Sequence, residues 1–248
     1  VTNKDLTLIA ALLDRTGSME TCVKPTCDGF DELINDQKHQ PGRAIVTLAQ
    51  FDRHGTEPIP EFVYRNKPIN DVPKLQLIPR GMTPLLDATG EFITEIGQSL
   101  AELDEDKRPG LVICVIMTDG MENASYDWSW ERISELIKQQ RDDYAWQFMF
   151  IGANIDAVKV GRSMGLAANQ AMTYNAGDAQ AVMDSYQSVS NNVSAMRGMA
   201  AAGMPMAAAA ANFTDEDRAK AMGEKKEPNL QERLAQHKKE KATSSTPK

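Results

Sequence analysis

Two apolar runs, Leu8–Leu13 and Leu111–Met117, constrain this chain more than any other feature, because each leads directly into an aspartate. Asp14 follows the first run, and Thr118-Asp119 follows the second. Extended to Leu6–Leu13 and Leu111–Thr118, they have the length of strands buried on both faces, as in a parallel sheet. Such a sheet needs helices over both faces. The intervening sequence supplies them: amphipathic or capped segments are expected at Phe30–Lys38, Pro84–Leu103, Ser129–Arg141, Ile155–Met164 and Asp178–Arg197. Further strands are expected at Ala44–Phe51, Gln147–Ile151 and Ala171–Tyr174. A short one at Glu61–Tyr64, beside prolines, belongs toward an edge. The expected fold class is α/β, a doubly wound and mainly parallel sheet. Ligands of such sheets bind at the carboxyl ends of the strands, which directs attention to the residues after Leu13 and Thr118.

Composition sets the outer limits. The chain has 248 residues and a formal charge of −8, with 42% apolar and 25% charged residues. That is enough chain for one full α/β core. The acidic balance argues against nucleic-acid binding, which needs basic surface to displace counterions. No apolar stretch is long enough to span a bilayer, and the chain as given opens on no secretory signal. Three cysteines (Cys22, Cys27, Cys114) cannot complete a disulfide framework, so a reduced, cytoplasmic setting is expected. The charge is uneven: from Phe213 to Lys248 nine basic and seven acidic residues give +2, and the remainder, with 18 basic and 28 acidic, carries −10. An Ala/Met-rich stretch precedes that segment. The expected organisation is a domain over 1–197, then a linker and charged tail over 198–248, solvated or docking on a partner. Two short tail helices are expected, Asp215–Met222 capped by Thr214 and Leu230–Lys241 capped by Asn229.

The strand ends carry an unusual set of oxygens. After the first strand, Asp14-Arg15-Thr16-Gly17-Ser18 puts a carboxylate and two hydroxyls in one tight loop. Asp119 follows the central strand, and Thr83 opens the long helix at Gly81-Met82-Thr83-Pro84. Two carboxylates and three hydroxyls are hard donors that suit Mg²⁺ or Mn²⁺ and suit zinc poorly. The histidines (His39, His54, His237) lie apart from these loops.

Here the sequence resembles the von Willebrand factor type A domain with a metal-ion-dependent adhesion site. The Asp-x-Ser-x-Ser motif of that family is matched by Asp14, Thr16 and Ser18, with threonine at the first hydroxyl; Thr83 matches its separate threonine and Asp119 its last aspartate. The resemblance spans about residues 6–197 and looks closest to the single-domain type of bacteria and their phages, on Arg80-Gly81-Met82-Thr83-Pro84-Leu85-Leu86-Asp87 and Thr118-Asp119-Gly120-Met121-Glu122-Asn123-Ala124-Ser125. It implies Thr16, Ser18 and Thr83 as direct hydroxyl ligands, and Asp14 and Asp119 as ligands directly or through water. Two carboxylates only just balance a divalent ion, which would leave it electrophilic toward an Asp or Glu of a protein partner. Such a contact is worth about 2 kcal/mol or more in a partly dry site. Met19, Glu20, Met82, Met121 and Glu122 are the expected rim of partner contacts, with the Asp127-Trp128 region; Trp128 and Trp130 more simply pack at a helix start. The resemblance also suggests work beside AAA+ ATPases or in assembled complexes. A structural component of a phage particle or other assembly, whose tail orders on docking, is the alternative, and would place the protein in a virion.

Catalysis is not expected. A buried strand ending in Asp also describes phosphotransferases with an aspartyl nucleophile. Those of the haloacid-dehalogenase type carry a second Asp two residues on, where this chain has Thr16. Glycine patterns that cradle phosphates are missing, and Ser18 has no histidine base.

Overall fold

The computed structural model describes residues 2–204 and 212–224. Six strands form one sheet: β1 (Asn3–Asp14), β2 (Arg43–Phe51), β3 (Glu61–Pro68), β4 (Pro109–Thr118), β5 (Gln147–Ala153) and β6 (Ala171–Tyr174). Their order is β3-β2-β1-β4-β5-β6. Only β3 runs antiparallel, at the edge beside β2. The helices are α1 (Val23–Lys38), α2 (Leu85–Ala101), α3 (Trp130–Tyr144), α4 (Ala157–Ser163), α5 (Ala179–Ala201) and α6 (Asp215–Ala221). None among the described residues is long and apolar enough to cross a membrane. This is the doubly wound α/β class the apolar runs predict.

The central strand shows why continuous apolarity is required. Ile9, Ala11 and Leu13 of β1 pack into one core with Phe30 and Leu33 of α1 and Val182 and Val189 of α5. The alternate residues Leu8, Ala10 and Leu12 join the opposite core with Phe92 and Ile93 of α2 and Ile133 and Ile137 of α3. Successive side chains point to opposite faces, so a strand covered on both sides has no position left for a polar residue. The chain leaves β1 toward β2 on one side and returns to β4 on the other. That reversal opens a crevice at the carboxyl ends of β1 and β4. The register pairs Leu13 with Met117, which sets Asp14 beside Thr118 and Asp119 one step beyond.

Three expectations need correction. Helix α1 starts at Val23 rather than Phe30, after a 3-10 turn at Gly17–Thr21. Its first turns set just two half-buried hydrophobic residues, Val23 and Cys27, against the core, beside the exposed pair Lys24–Asp28; Pro25 sits in the first turn, where its missing N–H costs no helix bond. Strand β3 runs on to Pro68, pairing Ile45 with Pro68 at the edge.

The third concerns the boundary after Arg197. Helix α5 continues to Ala201, and residues 212–224 return to the domain instead of leaving it. Phe213 is buried, and its N–H donates to the Asn169 carbonyl at 2.8 Å. Asn175 N–H donates to Ala221 O at 2.8 Å, and Arg218 donates to the Ala168 and Ala171 carbonyls at 2.8 Å each. This segment is therefore not a solvated tail; its one aromatic residue is the anchor, and it covers the β6 edge of the sheet. Thr214 caps α6 as expected, accepting from Asp217 N–H while the Asp217 carboxylate accepts from Thr214 N–H. The expected helix Leu230–Lys241 lies outside the described residues.

Candidate functional site

The site begins where β1 runs out. Asp14 holds its own loop: Oδ1 accepts from Thr16 N–H at 2.6 Å, and Oδ2 accepts from the Thr118 hydroxyl at 2.6 Å. The following 3-10 turn presents Ser18, whose hydroxyl donates to Asp119 Oδ1 at 2.6 Å and lies 3.1 Å from Thr16 Oγ1. Thr83 arrives from the loop before α2. A Cβ added to Gly120 would stand 3.0 Å from Thr83 Oγ1 and 3.5 Å from Ser18 Oγ. The two hydroxyls thus share a small space that is open because residue 120 is glycine. All five sequence-predicted residues, Asp14, Thr16, Ser18, Thr83 and Asp119, stand around the β1/β4 crevice.

The electrostatics of this cluster are unbalanced. Asp14, Thr16, Thr83 and Asp119 are buried, whereas Ser18 is exposed, so the cluster has a dry floor and one face open to water. Burial pushes the Asp14 carboxyl up to about 6, against the opposing hydrogen bonds from Thr118 and Thr16; repulsion from Asp119 adds to the rise. Burial also raises Asp119, with the Ser18 hydrogen bond opposing. Asp119 Oδ2 is buried and has no hydrogen-bond partner. A buried acceptor left unmade costs about 1–3 kcal/mol, and more when charged. A divalent cation would supply what this oxygen and the neighbouring Asp14 carboxylate lack. The donors are oxygen only, which suits Mg²⁺ or Mn²⁺. Among the described residues no group of three His, Cys, Asp or Glu side chains gathers to hold a metal; the hydroxyls are what make this cluster a candidate.

A second set of residues, several of them in the runs 80–87 and 118–125 but given no role by the sequence, holds the three loops together. Gly81 has φ +69°, and a Cβ there would meet the Arg53 carbonyl oxygen at 2.5 Å. That close approach lets Arg53 and Met82 exchange both backbone hydrogen bonds, at 2.9 and 3.2 Å. The Arg53 side chain continues to the Ala124 carbonyl at 2.7 Å and to Asp87 Oδ2 at 2.7 Å. Asp87 also accepts from the N–H groups of Tyr126, Asp127 and Trp128. Asp52 is buried between Arg15 Nε at 2.6 Å and Arg80 Nε at 3.0 Å, tying β1 to the Thr83 loop. Asn123 Oδ1 accepts from Thr83 N–H at 2.9 Å. Only the density of Asp, Asn and Arg beside the strand ends hints at this scaffold; its pairing is long-range.

The expected rim divides. Met82 and Met121 are 50% and 71% exposed, and Glu20 is exposed. Met19 is not a rim residue: it is buried in the core beneath the 3-10 turn, beside Cys22. Glu122 is not free to meet a partner either. Its carboxylate accepts from the N–H groups of Ala124 and Ser125, from the Ser125 hydroxyl and from Leu86 N–H. With Ser125 Oγ accepting from Leu86 and Asp87 N–H, it caps α2, whose own N-cap is Pro84. Tyr126, 77% exposed with Arg53 lying over its ring, is a rim residue the sequence did not suggest. Trp128 packs as expected, its ring against Gly90 and its Nε1 donating to Glu91 at 3.0 Å. Cys22, Cys27 and Cys114 are free thiols. His39 and His54 are exposed, and His237 lies outside the described residues.

No protein-family profile matches the chain, and no curated protein sequence matches it. Solved structures do. Proximal thread matrix protein 1 from the mussel byssus matches with a TM-score of 0.51 and 12% identity, over 76% of this chain and 46% of that one. The same protein with a zinc-occupied MIDAS motif matches with a TM-score of 0.50 and 13% identity, over 78% and 46%. The pilus adhesin SpaC from Lactobacillus rhamnosus GG matches with a TM-score of 0.53 and 11% identity, over 79% and 31%. The chain thus spans less than half the length of each of these proteins. With its strand order, its single antiparallel edge and its crevice between β1 and β4, the chain has the von Willebrand factor type A fold.

Proposed function

We propose that this chain is a divalent-metal-dependent protein-binding module. Asp14, Thr16, Ser18, Thr83 and Asp119 would hold Mg²⁺ or Mn²⁺, and an Asp or Glu of a protein partner would complete the coordination. The observation that carries this is Asp119 Oδ2, a buried carboxylate oxygen with no partner, set beside Ser18, Thr16 and a second buried carboxylate. The ion would supply positive charge at the floor. Neutral hydroxyls would leave that charge only just balanced, so it would still attract an anion on the open side. Exposed Met82, Met121 and Tyr126 surround that side with apolar surface, which fits a protein partner better than a free carboxylate. The mussel protein in its zinc-occupied form lends general support to a divalent ion on this fold.

No catalytic role is part of this reading: Asp14 is held by the Thr118 hydroxyl and the Thr16 amide with the Asp119 carboxylate close by, and Thr16 stands where an aspartyl phosphotransferase would carry its second aspartate. The test is an affinity capture from a source lysate with Mg²⁺, with Mn²⁺ and with EDTA, for wild type and Asp119→Asn. Partners retained with metal, released by EDTA and lost in the variant support the module. Retention that ignores both EDTA and the variant refutes it.

A further inference from the structure

The far end of the sheet holds a second unbalanced charge. Arg197, near the end of α5, is only 2% exposed, yet all four of its hydrogen bonds go to neutral oxygens. Nη1 donates to Gln37 O at 2.6 Å and Gln37 Oε1 at 3.2 Å; Nη2 donates to Pro41 O at 3.2 Å and Gly42 O at 3.0 Å. Its Nε is buried and has no partner. Carbonyl contacts orient the guanidinium and close the end of α1, but they bring only the partial negative charge of a helix end and no full counter-charge. A buried cation without a counter-ion is unfavourable, and burial accordingly works against the charged form of Arg197.

This residue lines a cavity of about 350 Å³ at the amino-terminal ends of β1 and β2, away from the candidate metal site. Lys38 and Arg43 line it too, and no acidic side chain does among the described residues. Arg43 is itself paired with Asp5 at 3.2 Å, an exposed carboxylate that stands beside Gly42 at the edge of the lining. The rest of the lining includes Leu6, Ile45 and Ile69. Three cations and an aliphatic wall, in a chain of net charge −8, form a local exception to the acidic surface. The volume lies in the range of small-molecule pockets.

We infer that this cavity binds a small organic anion with an aliphatic body, of the class of short-chain carboxylates. The carboxylate would face Arg197, Arg43 and Lys38, and the alkyl chain would lie against Leu6, Ile45 and Ile69. A bare inorganic anion would leave the aliphatic wall unused, and a neutral alcohol would bring no counter-charge to Arg197 and Lys38. The site is independent of the metal reading.

The test is calorimetric titration of the full chain with hexanoate at constant ionic strength, in EDTA so that no metal can draw the carboxylate to the other pole. Hexanol and inorganic phosphate are run in parallel. Replacing Arg197 itself would remove the closure of α1, so the variants are Lys38→Glu and Arg43→Glu, both at exposed positions. Saturable hexanoate binding is expected, with hexanol and phosphate at least about tenfold weaker and each variant about fivefold weaker or more, as for loss of a charge-assisted contact. Amide shifts in NMR should centre on Gly42, Ile45 and Asn70. No saturable hexanoate binding, equal binding of hexanol or phosphate, or variants that bind like wild type would each overturn the inference.

Discussion

Asp14→Asn should stabilise the metal-free protein at neutral pH while abolishing its response to metal, a combination that an ordinary buried aspartate would not give. Asp14 is held at about 6 instead of 3.8 by burial and by Asp119. The folded state therefore binds its proton more tightly than the unfolded chain does. The penalty is absent below pH ~4, grows as pH rises through the window, and is complete above pH ~6, so the metal-free protein loses stability as pH rises there. A displacement of about two units corresponds to roughly 3 kcal/mol. The amide side chain gives back about 1 kcal/mol at the Thr118 hydroxyl, which leaves a gain of about 2 kcal/mol, or about 4–8 °C in Tm for a domain of this size. Metal acts oppositely on wild type: free Mg²⁺ or Mn²⁺ at ~100 times its Kd adds about 2.7 kcal/mol, roughly 5–11 °C. The assay is thermal melting followed by circular dichroism from pH 4 to 8, in EDTA and in each metal, for both proteins. A metal-free Asp14→Asn that melts below wild type at pH 7.5, or one that Mg²⁺ stabilises as it does wild type, refutes the reasoning.

Other outcomes follow from the scaffold and the core. Gly81→Ala forces a Cβ to 2.5 Å from the Arg53 carbonyl at φ +69°; it should cost about 1–3 kcal/mol and weaken metal binding through Thr83, read as a smaller Mg²⁺ shift in Tm. Asp87→Ala removes an acceptor of four hydrogen bonds, one from Arg53; denaturant unfolding should show a loss of about 3 kcal/mol or more. Gly90→Ala sets a Cβ 2.1 Å from the Trp128 ring, and a loss of about 1–3 kcal/mol with altered Trp fluorescence is expected. Phe213→Ala empties a buried aromatic site at the β6 edge; about 3 kcal/mol should be lost, and unchanged stability would show that residues 212–224 contribute nothing to the domain.

Much of this protein was legible in its sequence because the signals are local. A strand buried on both faces must be apolar throughout, so Leu6–Leu13 and Leu111–Thr118 announced themselves and fixed the fold class. The aspartates after them, with Thr16 and Ser18 close by, marked the crevice without any knowledge of distance. Thr83 is far from both in sequence; its place at the start of the long helix brought it into the set, and the family resemblance matched it. What the sequence could not decide was what each side chain faces. Met19 and Met82 are alike as residues, but the 3-10 turn at Gly17–Thr21 turns one into the core while the Gly81 loop leaves the other half exposed. Glu122 looks like a free rim carboxylate until the fold is known: Oε1 accepts from Ala124 and Ser125 N–H in its own loop, and Oε2 accepts from Leu86 N–H at the start of α2. Phe213 reads as a lone aromatic in a polar tail, and only the position of β6 makes it an anchor. Arg197 marks the expected end of the domain; packed against the end of α1, it becomes a buried charge facing a cavity. Periodicity and apolarity depend on neighbours along the chain, whereas burial, pairing and unpaired charge depend on neighbours in space, and those are supplied by the tertiary fold.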